Sequence, residues 1–120
     1  MPHADAIIAE FVASGFHLVE SMRLPSQPFT FAVFGDYRVP AGSLRGQTIS
    51  QLAVQIPDDA MLPPPGIHTK PQFGLVGQKS IHVSPLGDGW AYWSRPIPGY
   101  RPADGAPRIL AHIQTILRDA

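Results

Sequence analysis

Fourteen prolines in a chain of 120 residues restrict where regular structure can run, because each one fixes φ and removes a backbone donor. They concentrate in the second half and mark rigid loops there. In Pro57-Asp58-Asp59-Ala60-Met61-Leu62-Pro63-Pro64-Pro65-Gly66 the three consecutive prolines impose a polyproline-like path that cannot join a sheet interior, so a stiff loop is expected. Leu24-Pro25-Ser26-Gln27-Pro28 reads as a turn for the same reason.

Between these breaks the apolar pattern is regular. Ile7, Ile8, Phe11 and Val12 recur at spacings of three and four over residues 4–14, and Gly15 supplies a helix stop. Residues 16–20 read as a strand. Phe29-Thr30-Phe31-Ala32-Val33-Phe34 is a second strand, rich in aromatic and β-branched types. Asp36-Tyr37-Arg38-Val39-Pro40-Ala41-Gly42 leaves it through a turn, and residues 48–56 form the next antiparallel strand, alternating with one slip in register. Residues 72–76 and 80–83 are short extended candidates, and Gly87-Asp88-Gly89 supplies a turn before the aromatic run Trp90-Ala91-Tyr92-Trp93. A closing helix opens at Asp104, carries Pro107 in its first turn and aligns Ile109, Leu110, Ile113, Ile116 and Leu117 on one face. The expectation is a single α+β domain over residues 1–120, an antiparallel sheet with a helix at each end.

Composition excludes several kinds of chemistry. The chain has no cysteine, so it has no disulfide, no thiolate nucleophile and no sulfur ligand for zinc. Nine basic residues offset nine acidic ones, leaving no global field to draw nucleic acid or an anionic membrane. The N-terminal residues lack the basic run and unbroken apolar block of a signal peptide, and no apolar stretch is long enough for a membrane helix. A cytoplasmic location is expected.

The five histidines are His3, His17, His68, His82 and His112, and none is spaced as a recognised metal pair. No metal or cofactor is expected. His68 and His82 are candidates for a base or nucleophile on loops, weighed against structural roles, and His112 reads as a packing histidine of the last helix. Asp58 and Asp59 are neighbours in a proline-rich turn, where carboxylates point apart. Trp90, Tyr92, Trp93 and Tyr100, with Arg95 and Arg101 close by, form the most informative cluster: core packing and a partner-binding surface are both open readings, since these residue types anchor interfaces.

The order helix, three or four antiparallel strands, proline-rich stretch, aromatic-rich loop and closing helix resembles the ubiquitin-conjugating enzyme (UBC) fold. Asp36-Tyr37-Arg38-Val39-Pro40-Ala41-Gly42, then Leu52-Ala53-Val54-Gln55-Ile56-Pro57 and Pro63-Pro64-Pro65, resemble the pattern of the prokaryotic UBC-like family E. So do Trp90-Ala91-Tyr92-Trp93-Ser94-Arg95 and Gly99-Tyr100-Arg101-Pro102-Ala103-Asp104. The resemblance spans residues 29–118 and implies an antiparallel four-stranded meander with N-terminal and C-terminal helices.

It also implies a function, with one departure. A conjugating enzyme carries ubiquitin as a thioester on cysteine, and after the Gly87-Asp88-Gly89 turn this chain has Trp90-Ala91-Tyr92 instead. The histidine-proline-asparagine signature is also missing, with Ser80-Ile81-His82-Val83-Ser84-Pro85 lying about where it would fall. The chain therefore is similar to non-catalytic UBC variants of a bacterial ubiquitin-like modification system. The implied partners are a ubiquitin-like protein, its activating enzyme or a related conjugation-system protein. The alternatives are a noncanonical conjugating enzyme using His82 or His68, and a structural module that dimerises through the surface around residues 90–100.

Overall fold

The computed structural model describes residues 3–42, 44–70 and 81–118. Helix α1 (His3–Ala13) leads into strands β1 (His17–Met22), β2 (Phe29–Arg38), β3 (Thr48–Pro57), β4 (Gly66–Lys70), β5 (Ile81–Val83) and β6 (Ala91–Ser94). A 3-10 turn (Pro102–Asp104) then opens helix α2 (Gly105–Arg118). The sheet is antiparallel throughout, in the order β1-β2-β3-β4-β6-β5. The expected four-stranded meander is thus corrected to six strands among the described residues: β1 to β4 do form a meander, but β6 pairs with β4 and β5 lies beyond β6. The expected aromatic loop at residues 90–93 is instead largely β6, where Trp93 faces Ile67 on β4 and Ile81 on β5. The candidate strand at residues 72–76 lies outside the described residues.

Helix α1 ends where Gly15 appears. Gly15 sits at φ +99°, its N–H donates to the Val12 carbonyl at 3.0 Å, and the Phe16 N–H reaches back to the Phe11 carbonyl at 3.1 Å. This pair of bonds satisfies carbonyls the helix would otherwise leave open, and the accompanying apolar contact is Phe16 edge-on to Phe11, ring centres 5.1 Å apart.

The slip in the alternation of β3 has a structural cause. Phe34 and Leu52 pair across β2 and β3 and both join the core under the helices, as do Ile49 and its partner Tyr37. Between these pairs both strands change phase together at Asp36, which takes φ +51°. The pairing register is unchanged on either side. The strand consequently continues to Arg38, past the turn expected at Asp36.

Both helices cover one sheet face. Ile7, Ile8 and Phe11 of α1 and Ile109, Ile113, Ile116 and Leu117 of α2 pack with Ala32, Phe34, Ile49, Leu52, Val54, Ile56, Ile67 and Trp93 in one buried cluster. The helices are also joined by a polar contact: Glu10 Oε2 accepts the Ala106 N–H at 2.7 Å. Asp104 precedes α2 as expected, but its Oδ2 turns back to accept the Arg101 N–H at 3.0 Å. The open N–H groups at the start of α2 therefore receive their carboxylate from α1, where the helix dipole favours a negative charge. Gly105 makes this approach possible, since a Cβ there would lie 2.7 Å from Glu10 Oε2.

Candidate functional site

The opposite sheet face is closed by the segment Ser84-Pro85-Leu86-Gly87-Asp88-Gly89-Trp90. Trp90 packs on Val33 and Ala53 there, with Met22 and Leu86 beside them. Beneath this cover β4 carries His68, which is fully buried. Its Nδ1 lies 2.8 Å from Ser84 Oγ and its Nε2 lies 2.9 Å from Gln55 Oε1. Ser84 Oγ accepts the Leu86 N–H at 3.1 Å, leaving its own hydrogen to donate to Nδ1. The imidazole therefore carries its proton on Nε2 and donates it to Gln55. Tyr92 stacks on the ring at 4.6 Å and Phe31 meets it edge-on at 5.3 Å.

A hydroxyl, an imidazole and an orienting side chain in sequence resemble the parts of a nucleophilic site. The electrostatics point to a different role. Burial pushes His68 down to about 4, with no carboxylate to stabilise an imidazolium. Ser84 is only 4% exposed, and both ring nitrogens are already bonded. The three residues act as a hydrogen-bonded clasp that pins the covering segment to β3 and β4.

His82 is the opposite case. It sits on the edge strand β5, not on a loop, and its side chain is exposed. Its ring lies 6.0 Å from that of Tyr92 and makes no hydrogen bond among the described residues. Of the two candidate histidines, only this one offers ring nitrogens to a second molecule. His112 is a packing residue, its Nε2–H donating to the Arg95 carbonyl at 2.6 Å. Among the described residues no three metal-ligating side chains gather.

The aromatic cluster is divided by the sheet. Trp93 points under the helices, is 1% exposed and donates its indole N–H to Thr69 Oγ1 at 2.9 Å. Trp90 packs on the other face. Neither tryptophan forms an exposed anchor. Tyr92, Arg95 and Tyr100 are half-buried, and Arg101 is exposed beside Asp104 at 3.7 Å. Burial raises the Tyr100 phenol, as do the Asp104 and Glu10 charges.

Sequence reasoning missed a feature of the loop between β3 and β4. Met61 and Leu62 are exposed at its tip, at 70% and 52%. The base of this loop is held firmly. Asp58 forms a two-pronged pair with Arg23, Oδ2 to Nη2 at 2.7 Å, which holds its carboxyl below the usual range. The Asp58 N–H donates to the Pro28 carbonyl at 2.9 Å. Asp59 serves the loop separately, its Oδ1 accepting the Met61 N–H at 2.9 Å and its carbonyl the Leu62 N–H at 3.1 Å. The two carboxylates thus diverge, as the turn reading expects. The available sequence signal was two apolar residues inside a polar, proline-bounded loop that no core position required.

Among the described residues no helix is long and apolar enough to cross a membrane. Comparison with protein-family models, curated proteins and solved structures returns no match.

Proposed function

We propose that this chain is a UBC-like binding protein without conjugating activity, one that holds a ubiquitin-like protein or a conjugation-system partner of a bacterial modification pathway. The observation that carries this reading is the loop tip with Met61 and Leu62 turned to solvent on backbone hydrogen-bonded to Asp59. Backbone already held before binding loses little conformational freedom on docking, and the methionine side chain adapts its shape to a partner surface. The absence of any thiol supports the non-catalytic part, because nothing in the chain can hold an acyl group as a thioester. The resemblance described from the sequence supplies the identity of the partner, and the flanking helices with the β1 to β4 meander are compatible with it.

Adding a ubiquitin-like protein of a bacterial modification system to the isotope-labelled protein tests the reading. Amide signals of residues 58–62 should shift saturably, and Met61→Asp with Leu62→Asp should weaken binding at least tenfold while leaving the fold intact. Unmoved signals at high micromolar partner would overturn it.

The exposed imidazole of His82 favours a second reading, in which it accepts an acyl group from the activated carboxyl terminus of the modifier. The nitrogen would attack the carbonyl, adenylate would leave and the ring proton would pass to solvent. Incubation with activating enzyme, ATP and the modifier would then give an adduct that His82→Ala abolishes. The wild-type chain remaining at its own mass would exclude this reading.

A further inference from the structure

The connection between β2 and β3 encloses a second feature, unrelated to the loop tip and to either histidine. A surface cavity of about 530 Å³ is lined by Arg38, Val39, Pro40, Arg45 and Gly46. That volume falls in the range of small-ligand sites. The backbone around it is tied down: the Val39 N–H donates to the Gln47 carbonyl and the Gly46 N–H to the Val39 carbonyl, each at 3.0 Å. The Arg45 N–H bonds the Gly42 carbonyl at 3.1 Å and the Gln47 N–H bonds the Leu44 carbonyl at 2.9 Å. Val39 itself is buried at 1% exposure and anchors the turn in the core. The two arginines are therefore mounted on fixed backbone while their side chains remain exposed.

Among the described residues no acidic side chain lines this cavity, and neither Arg38 nor Arg45 forms an ion pair. Asp36 shares the adjoining cavity with Arg38 but makes no ion pair with it. The chain as a whole is neutral, with nine basic and nine acidic residues, so this positive corner reflects local placement and not a general basic surface.

The geometry points to a phosphate-binding site, with Arg38 and Arg45 gripping the group from two sides. A guanidinium presents a fork of donors that matches two oxygens of an oxyanion, and two forks on one cavity suit a tetrahedral group better than a planar carboxylate, which one fork satisfies. The ligand is inorganic phosphate or the phosphate of a small monoester, the cavity leaving room for more than the anion alone. Exposure makes the site sensitive to salt.

Titrating the isotope-labelled full chain with inorganic phosphate, methyl phosphate and acetate at constant ionic strength tests this. The amides of Val39, Arg45 and Gly46 should shift saturably with both phosphates and not with acetate. Arg38→Gln and Arg45→Gln should each weaken phosphate binding about tenfold, without changing the thermal midpoint. Tighter binding of methyl phosphate would assign the site to monoesters, and equal binding to the phosphate group alone; either supports the site. Shifts that never saturate, that acetate reproduces, or that persist unchanged in the doubly substituted chain would overturn it.

Discussion

The two faces of the sheet are closed by different means. Under the helices, aromatic and branched aliphatic side chains from α1, α2 and the strands fill one continuous cluster. On the other face the apolar cluster is smaller, with Val33, Ala53 and Trp90 at its centre and Met22 and Leu86 at the margin, while Phe31 and Tyr92 pack against the His68 ring. There the covering segment is held by the hydrogen bonds of Ser84, His68 and Gln55. The first face gains from burial, a force that does not depend on protonation. The second relies on polar groups that must stay paired and neutral, because a buried polar group without its partner is costly. Two sides of the same strands should therefore respond differently to substitution and to pH.

The largest effect is expected on the helix face. Phe34 is fully buried between Phe11 and Phe16, and Phe34→Ala should cost about 3–5 kcal/mol. Denaturant unfolding should show the same loss at pH 7 and pH 5. A loss that changed markedly between those values would break the contrast between the faces.

The other face should yield to acid. Burial lowers His68 from 6.5 to about 4, so between those values the unfolded chain binds a proton that the folded chain does not. Stability is then complete above the unfolded value and falls as pH drops from about 6.5 toward 4, by a total on the order of 3 kcal/mol. Subtracting the pH profile of His68→Phe, which is less stable at neutral pH but has no such group, isolates the contribution. Parallel profiles for the two proteins would show that the clasp does not titrate as described.

A smaller effect sharpens the comparison on the helix face, where one polar contact joins the two helices. Glu10→Ala removes the acceptor for the Ala106 N–H and should cost about 1 kcal/mol. Hydrogen exchange should quicken in the first turn of α2 and not around His68. Equal quickening in both places would mean that the two faces unfold as one unit.

How much of this could be read in advance follows from the range over which each signal acts. Both helices were legible because their signals are local: Gly15 ends α1, and the apolar face from Ile109 to Leu117 needs no partner to be recognised. Strands β2 and β3 were equally plain, although the joint phase change at Asp36 shows in sequence only as a slip. Strand β4 was hidden, since five residues following three prolines carry no alternation that marks them as interior. The sequence consequently reads His68 as a loop residue, whereas it lies on a strand between β3 and β6. The tryptophans misled for a related reason: an aromatic run suits an interface or a core equally well, and only strand alternation sends Trp93 under the helices.

The sequence alone determined the α+β class, the position of the helices and of the proline-bounded loops, and the absence of cysteine chemistry, because periodicity, proline geometry and residue inventory are properties of short stretches or of composition. Tertiary structure decided that β6 lies between β4 and β5, that His68 is enclosed and His82 open, and that Met61 with Leu62 and Arg38 with Arg45 are presented to solvent. Those outcomes depend on which distant segments share backbone hydrogen bonds. That choice is made by the burial of the whole chain, and no single stretch encodes it.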